Sequence, residues 1–212
     1  MNTLYLQMDT HTLLNNTPLT RLNCRMIKRT FDITTALIVM ILFFPWIYLI
    51  IACCIKVWMP GPVFFKQNRT GKNGKIFTCY KFRTMDARNS SDEFIDPKIN
   101  QYSLGNFLRM TSLDELPQFW NVLKGDMSII GPRPHMLIHD EEYMKKIEEY
   151  PKRYAVKPGI TGWAQVNGLR GERDIERVQM RVNYDLWYIQ HWSLSLDIKI
   201  VFRTIGVMIK NN

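Results

Sequence analysis

The sequence predicts an α+β fold: a small membrane-associated domain on an N-terminal membrane helix, with a β-hairpin and amphipathic interfacial helices. Three observations predict it. No Asp, Glu, Lys, Arg or His occurs between Asp32 and Lys56. As a helix, the run Ile33–Ile55 would be about 34 Å long, enough for a bilayer core of about 30 Å. Two strand-like segments flank Asn73-Gly74, a strong hairpin signal. Further on, Ile175, Val178, Val182, Leu186 and Ile189 recur at helical spacing.

Residues 1–20 are polar and aperiodic and read as a flexible tail. Residues 21–58 form the membrane unit and 59–212 the cytoplasmic domain. In the lead-in, 21–32, Leu22, Met26 and Ile27 lie opposite the arginines and lysines, which suits a helix at headgroup depth. Pro45 stands near the centre of the apolar run. It removes a backbone donor and crowds the preceding turn, so a bend is expected there. Arg21, Arg25, Lys28 and Arg29 precede the run, and Lys56, Lys66, Arg69, Lys72 and Lys75 follow it. The positive-inside rule therefore puts both ends on the cytoplasmic side. A re-entrant helix broken at Pro45 satisfies charge and proline. A proline-kinked spanning helix satisfies length. The residues alone leave both open.

Val63–Gln67 and Ile76–Phe82 read as the hairpin strands, and 86–106 as a polar loop. Ser112–Leu123 reads as a helix closed by Gly125. SIIGPRP gives a short strand and a proline-fixed loop, Leu137–Tyr150 a charged helix ended by Pro151, and Pro158–Gly168 a glycine-punctuated stretch. Residues 172–190 form the amphipathic helix. Leu196–Ile209 is too short and too charged to span, and either covers the core or lies on the membrane.

The 212 residues suffice for one domain, and 46% apolar with 22% charged residues excludes a disordered chain. A net charge of +9 favours anionic partners. The four cysteines show no CxxC spacing and read as reduced thiols. GxxxxGK[ST], GxGxxG and GxSxG are absent, so P-loop, Rossmann and hydrolase signatures are lacking. His135 and His139 are the one HxxxH pair, a weak zinc signal.

The densest stretch is LRMTSLDELPQFWNVLKGDMSIIGPRP, Leu108–Pro134. Asp114 and Glu115 can converge on one hard cation at a helix start. Equally, Ser112-Leu-Asp-Glu115 fits a capping box, in which Glu115 reaches back to the helix start. Arg133, between two prolines, presents a guanidinium suited to phosphate, or is an ordinary turn arginine. Lys81 and Arg83 alternate on the second strand and form either a phosphate-binding or a solvated face.

The chain resembles the bacterial sugar transferases, the monotopic phosphoglycosyl transferases, in their compact catalytic-domain form. The likeness is carried by KRTFD (Lys28–Asp32), PGPVFFKQNRTGKNGKIFTCYKFRTM (Pro60–Met85), SLDELPQFWNVLKGDMSIIGPRP (Ser112–Pro134), KPGITGWAQVNGLRGE (Lys157–Glu172) and YDLWYIQHWSLSLDIKI (Tyr184–Ile200). The resemblance implies transfer of a sugar 1-phosphate, a hexose 1-phosphate above all, from a UDP-sugar to polyprenyl phosphate with release of UMP, as the first step in building a surface glycan. It implies Mg²⁺ on an Asp-Glu dyad, here Asp114 and Glu115, with Asp114 as nucleophile of a covalent phospho-sugar intermediate. It implies phosphate binding by Arg133, with Lys81, Arg83 and Arg109 as further cations. It also implies a re-entrant helix broken at Pro45 in the cytoplasmic leaflet of a bacterial inner membrane. Phe44 stands where relatives often carry serine. Nucleic acid is not an expected partner, and self-association is left open. The contrasting reading is a non-catalytic, membrane-tethered basic protein that binds nucleic acid or anionic lipid. That protein would be salt-sensitive and indifferent to Asp114 and Glu115.

Overall fold

The computed structural model describes residues 17–59, 61–85, 104–171 and 174–210. Most of the loop expected over 86–106, and all but the end of the 1–20 tail, lie outside these. The tail's last residues are not loose. Pro18–Thr20 form a 3₁₀ turn, and Thr17 and Leu19 are buried against the domain.

Helix α1, Leu22–Ile38, continues through a π turn, Val39–Phe43, into α2, Phe44–Trp58. Pro45 falls in the first turn of α2, where a missing N–H leaves few bonds unmade. The interruption expected at Pro45 is thus a widened turn in an otherwise helical path. The outer face of the helix is apolar and bare: Leu22, Met26, Leu37, Ile41, Trp46 and Ile50 are all exposed. Its inner face touches the domain along its length. α1 carries Lys28, Arg29 and Asp32 inward, and α2 packs Ile51, Ile55 and Met59 against Phe82 and Leu108.

The hairpin is antiparallel, β1 (Phe64–Thr70) on β2 (Ile76–Phe82), in register from Phe64↔Phe82 to Thr70↔Ile76. β1 therefore runs three residues beyond the expected Gln67. Asn73 and Gly74 both take positive φ at the turn, as an Asn-Gly pair allows. Phe64, Phe82, Tyr48 and Phe44 stack where the hairpin base meets α2.

Helix α3, Leu104–Met110, occupies residues expected in part as loop. The expected Ser112–Leu123 helix is divided. Ser112 is left-handed, Leu113–Glu115 form a 3₁₀ turn, and α4 runs Gln118–Lys124. Pro117 heads α4, and Gly125 at φ 91° ends it, as the sequence predicts. β3 (Ser128–Ile130) pairs in parallel with β4 (Gly159–Thr161). The two backbones meet closely there, because a Cβ on Gly159 would collide with the Gly131 backbone.

Between these strands α5, Leu137–Lys146, stops short of the expected Tyr150. A 3₁₀ segment, Tyr150–Ala155, then accepts Pro151 in its first turn instead of ending at it. After a short α6, Trp163–Val166, helix α7, Ile175–Gln190, buries Val178, Val182, Leu186 and Ile189 on the face its spacing predicts. α8, Leu194–Lys210, has two roles. Ile200 is fully buried, whereas Phe202 and Ile205 are exposed.

A buried polar knot joins the long apolar helix to the domain. Asp32 accepts hydrogen bonds from Ser128 Oγ (2.9 Å) and the Ile129 N–H (3.0 Å). Lys28 pairs with Asp197 at 2.9 Å, and Asp197 also accepts from Tyr188 and Trp192. Arg29 donates to the Val122 and Leu123 carbonyls at the end of α4. A buried charge is tolerated where it is paired and hydrogen-bonded, as Lys28, Asp32 and Asp197 are.

Candidate active site

The left-handed turn at Ser112 tightens the chain so that Asp114 and Glu115 emerge from one 3₁₀ turn. Leu113 and Leu116 bracket them and pack into the cluster formed by Ile51, Ile55 and Met59 of α2. The turn that carries the acidic pair therefore packs on the long apolar helix.

Three cations meet Glu115 and Asp114. Lys81 Nζ lies 2.8 Å from Glu115 Oε1 and 3.8 Å from Asp114 Oδ2. Arg133 donates to Glu115 from two nitrogens, Nη2 to Oε1 (2.6 Å) and Nη1 to Oε2 (3.2 Å). Arg109, exposed at the end of α3, bonds to Thr84 and adds its field at Asp114. Lys81 owes its place to β2. That strand is held on its open edge by Asn121, whose amide bonds the Tyr80 N–H and the Thr78 carbonyl. Arg83 is placed elsewhere. It lies beyond the end of β2, buried, and donates to the Met59 carbonyl that closes α2. It is brought to the membrane helix and not to the acidic pair.

The Ser112–Glu115 capping box is not formed. Ser112 makes no side-chain cap, and the Glu115 carboxylate is spent on Lys81 and Arg133. The two acids have opposite electrostatics. Burial pushes the Asp114 carboxyl up to about 6 against the pull of Lys81. Burial also opposes ionisation of Glu115, but Arg133 and Lys81 outweigh it and hold that carboxyl well below the usual range.

Behind Arg133 its backbone is fixed. Arg153 Nη2 donates to the Arg133 carbonyl at 2.8 Å, and Arg153 Nε pairs with Asp185 at 2.8 Å. His135 is engaged at both ring nitrogens, by Tyr150 and Arg153 at Nδ1 and by Arg181 at Nε2. Burial and these arginines hold it neutral, and no lone pair remains for the zinc that HxxxH spacing suggested. Among the described residues no group of three or more His, Cys, Asp or Glu is arranged to hold a metal.

One cation near the acidic pair was not singled out by the sequence. Arg170, in the GLRGE block, lies in the field of Arg133 and Glu115, and its Nε is buried with no hydrogen-bond partner among the described residues. The block itself was the signal, but it carried no spacing to single out this arginine. Lys81, Arg133, Arg109 and Arg170 together surround two carboxylates, a surplus of cations suited to phosphate oxygens.

The family description "Bacterial sugar transferase" matches residues 23–211. The chain belongs to the bacterial sugar transferase family. It is 49% identical over 199 residues to the UDP-glucose:undecaprenyl-phosphate glucose-1-phosphate transferase of Escherichia coli (strain K12), covering 91% of this chain and 42% of that protein. To a Caulobacter vibrioides protein of the same name it is 43% identical, covering 89% of this chain and 72% of the relative. To the UDP-N-acetylgalactosamine-undecaprenyl-phosphate N-acetylgalactosaminephosphotransferase of Aeromonas hydrophila it is 43% identical, covering 86% and 44%. The chain thus spans about two fifths of the Escherichia coli and Aeromonas relatives. The acidic pair, its cations and all but the first residue of the long apolar helix fall within the matched family region.

Proposed function

We propose that this sugar transferase moves a hexose 1-phosphate from a UDP-sugar to undecaprenyl phosphate, as the first step of surface-glycan assembly. One observation carries the reading: a buried carboxyl, Asp114, lies beside a cation-clamped carboxylate, Glu115, on a turn seated against the membrane helix. The names of the Escherichia coli, Caulobacter and Aeromonas relatives support the donor and acceptor classes.

In the first displacement an Asp114 oxygen attacks the sugar-bearing phosphorus of the donor. The bond from that phosphorus to the bridging oxygen breaks, and UMP leaves with the electron pair. In the second, a phosphate oxygen of undecaprenyl phosphate attacks the same phosphorus and expels the Asp114 carboxylate. Carboxylate is a weak nucleophile, so the phosphorus must be made electrophilic. Arg133, Lys81 and Arg170 draw charge from its oxygens. Arg133 is pre-positioned for this, because Arg153 fixes its backbone.

Mg²⁺ fits the chemistry of the donor set. Asp114 and Glu115 are adjacent hard oxygen donors, and the ion-pair contact of the Asp114 carboxylate among the described residues is a long one, to Lys81, so that burial outweighs the fields of Lys81, Arg133 and Arg109. The two carboxylates would hold the ion together with donor phosphate oxygens. Bound there, it supplies Lewis-acid charge that offsets the pyrophosphate oxygens.

The membrane helix is read as re-entrant in the cytoplasmic leaflet. Both halves touch the same domain, α1 through Arg29 and Asp32 and α2 through Ile55 and Met59. A helix carried to the far side of a bilayer could not keep both contacts.

The test is incubation of full-length protein in nanodiscs with UDP-glucose, UDP-N-acetylgalactosamine, undecaprenyl phosphate and Mg²⁺. Expected are UMP release with one donor and, on quenching without acceptor, a hexose-phosphate adduct on Asp114 by mass spectrometry. Turnover without any adduct would overturn the covalent route.

A further inference from the structure

Away from the acidic pair, five cations line one cavity of about 270 Å³: Arg25, Lys28 and Arg29 from α1, Lys72 from the hairpin turn, and Lys157 ahead of β4. Asp32 is the one carboxylate in its wall. That acid accepts from Ser128 and the Ile129 N–H and lies 3.5 Å from Lys28, which also pairs with Asp197; its charge, with that of Asp126, acts on Lys157 but does not match the cations in number. Arg29 donates only to neutral carbonyls, so its charge is uncompensated. Arg25, Lys72 and Lys157 have no carboxylate partner among the described residues. The cations are also close together. Lys157 Nζ and Arg29 Nη2 lie 3.4 Å and 3.7 Å from the point where a Cβ on Gly125 would sit. Burial, and then the neighbouring arginines, lower the pKa of both Lys72 and Lys157.

Like charges gathered in a partly enclosed site in excess of their counter-charge disfavour the folded state unless an anion completes them. The cavity is roomy enough for a phosphate carrying an organic group, and Ile130 and Val156 give it an apolar wall. α1 also exposes Leu22, Met26 and Ile27. The cavity therefore opens beside a helix suited to lie among lipid headgroups.

We propose that this cavity is a second anion site, which binds a phosphate ester supplied by the headgroup of an anionic phospholipid. It shares no residue with the Asp114–Glu115 cluster and docks the enzyme at a fixed depth.

Native mass spectrometry of the full chain in detergent, titrated with phosphatidylglycerol or phosphatidylcholine, tests this. A calorimetric arm uses glycerol 3-phosphate and inorganic phosphate. Lys72→Gln with Lys157→Gln should weaken phosphatidylglycerol binding at least tenfold and leave phosphatidylcholine unchanged. Lys145→Gln with Lys146→Gln, on α5, should change neither. Equal phosphatidylglycerol retention in both pairs would overturn the site. Glycerol 3-phosphate binding as tightly as the lipid, with the same loss in the variant, would keep the phosphate-ester chemistry and overturn the lipid source. Should the double variant fail to fold, Lys72→Gln alone must still weaken phosphatidylglycerol binding. Competition by glycerol 3-phosphate on the unaltered chain must also displace the lipid. Because binding is read without turnover, failure here is separate from failure of the transferase reading.

Discussion

Arg153 holds Arg133 by its backbone, through the 2.8 Å bond from Nη2 to the Arg133 carbonyl, while Asp185 anchors the other edge of the guanidinium. Arg153 and Asp185 are both almost wholly buried. Replacing Asp185 with Asn leaves an uncompensated charge inside the domain. Removing one partner of a buried pair costs about 3–5 kcal/mol. Asp185→Asn should lower the melting temperature markedly, and in the folded fraction KM for the donor should rise as Arg133 loses its register.

Burial of Asp114 costs stability at neutral pH. Its carboxyl is raised to about 6 by burial, against a usual value of 3.8. A raised carboxyl favours folding when protonated. The penalty is therefore absent below about pH 4, grows between 4 and 6, and is complete above 6. Two pH units correspond to about 3 kcal/mol. Asp114→Asn should abolish turnover, by about 10³-fold or more, yet raise the melting temperature at pH 7.5. The gain should vanish at pH 4. A variant less stable than the parent at neutral pH would contradict this.

Glu115 works in the opposite sense. Arg133 and Lys81 hold it below its ordinary range, so its contribution to stability is present above about pH 4.5 and is lost as pH falls through its lowered value. Glu115→Gln should destabilise the protein by about 3 kcal/mol at pH 7 and flatten the acid limb of the stability profile. Circular dichroism melts across pH 3 to 7 provide the check.

The bare helix face predicts where the chain meets lipid. Ile41 and Ile50 are about two-thirds exposed and pack on nothing in the domain. A lysine at the centre of a membrane helix costs about 2.5–3.5 kcal/mol. Ile41→Lys with Ile50→Lys should shift the protein from the membrane pellet toward the supernatant and leave its melting temperature in detergent unchanged.

Topology is testable independently. In a cysteine-free background, Arg21→Cys and Lys56→Cys sit at opposite ends of the apolar run. Both should react with impermeant maleimide in inverted vesicles and neither in spheroplasts. Labelling of the two ends from opposite sides would establish a span and remove the re-entrant reading.

The hairpin and α7 were legible because their signals are local. Asn73-Gly74 fixes a turn chemically, and one buried face repeats every turn of a helix. The acidic turn was half legible. Adjacent carboxylates announced chemistry, but the fate of Glu115 depends on Lys81 and Arg133, 34 and 18 residues away. Local pattern favoured a cap, and long-range charge decided otherwise. Arg83 shows the same limit, since strand alternation paired it with Lys81 but the strand ends at Phe82. The inward roles of Lys28, Arg29 and Asp32 were hidden too. Periodicity separated them from the apolar side without saying that the polar side faces protein.

Arg29 closing α4, together with Asp32 gripping β3, bears on how this protein can be handled. The oily segment is a structural beam of the folded domain. Trimming it to obtain a water-soluble version would strip two carbonyls of their donors and leave Asp197 without its lysine. Solubilising strategies should instead recolour the outward side of the beam and leave its inner side untouched.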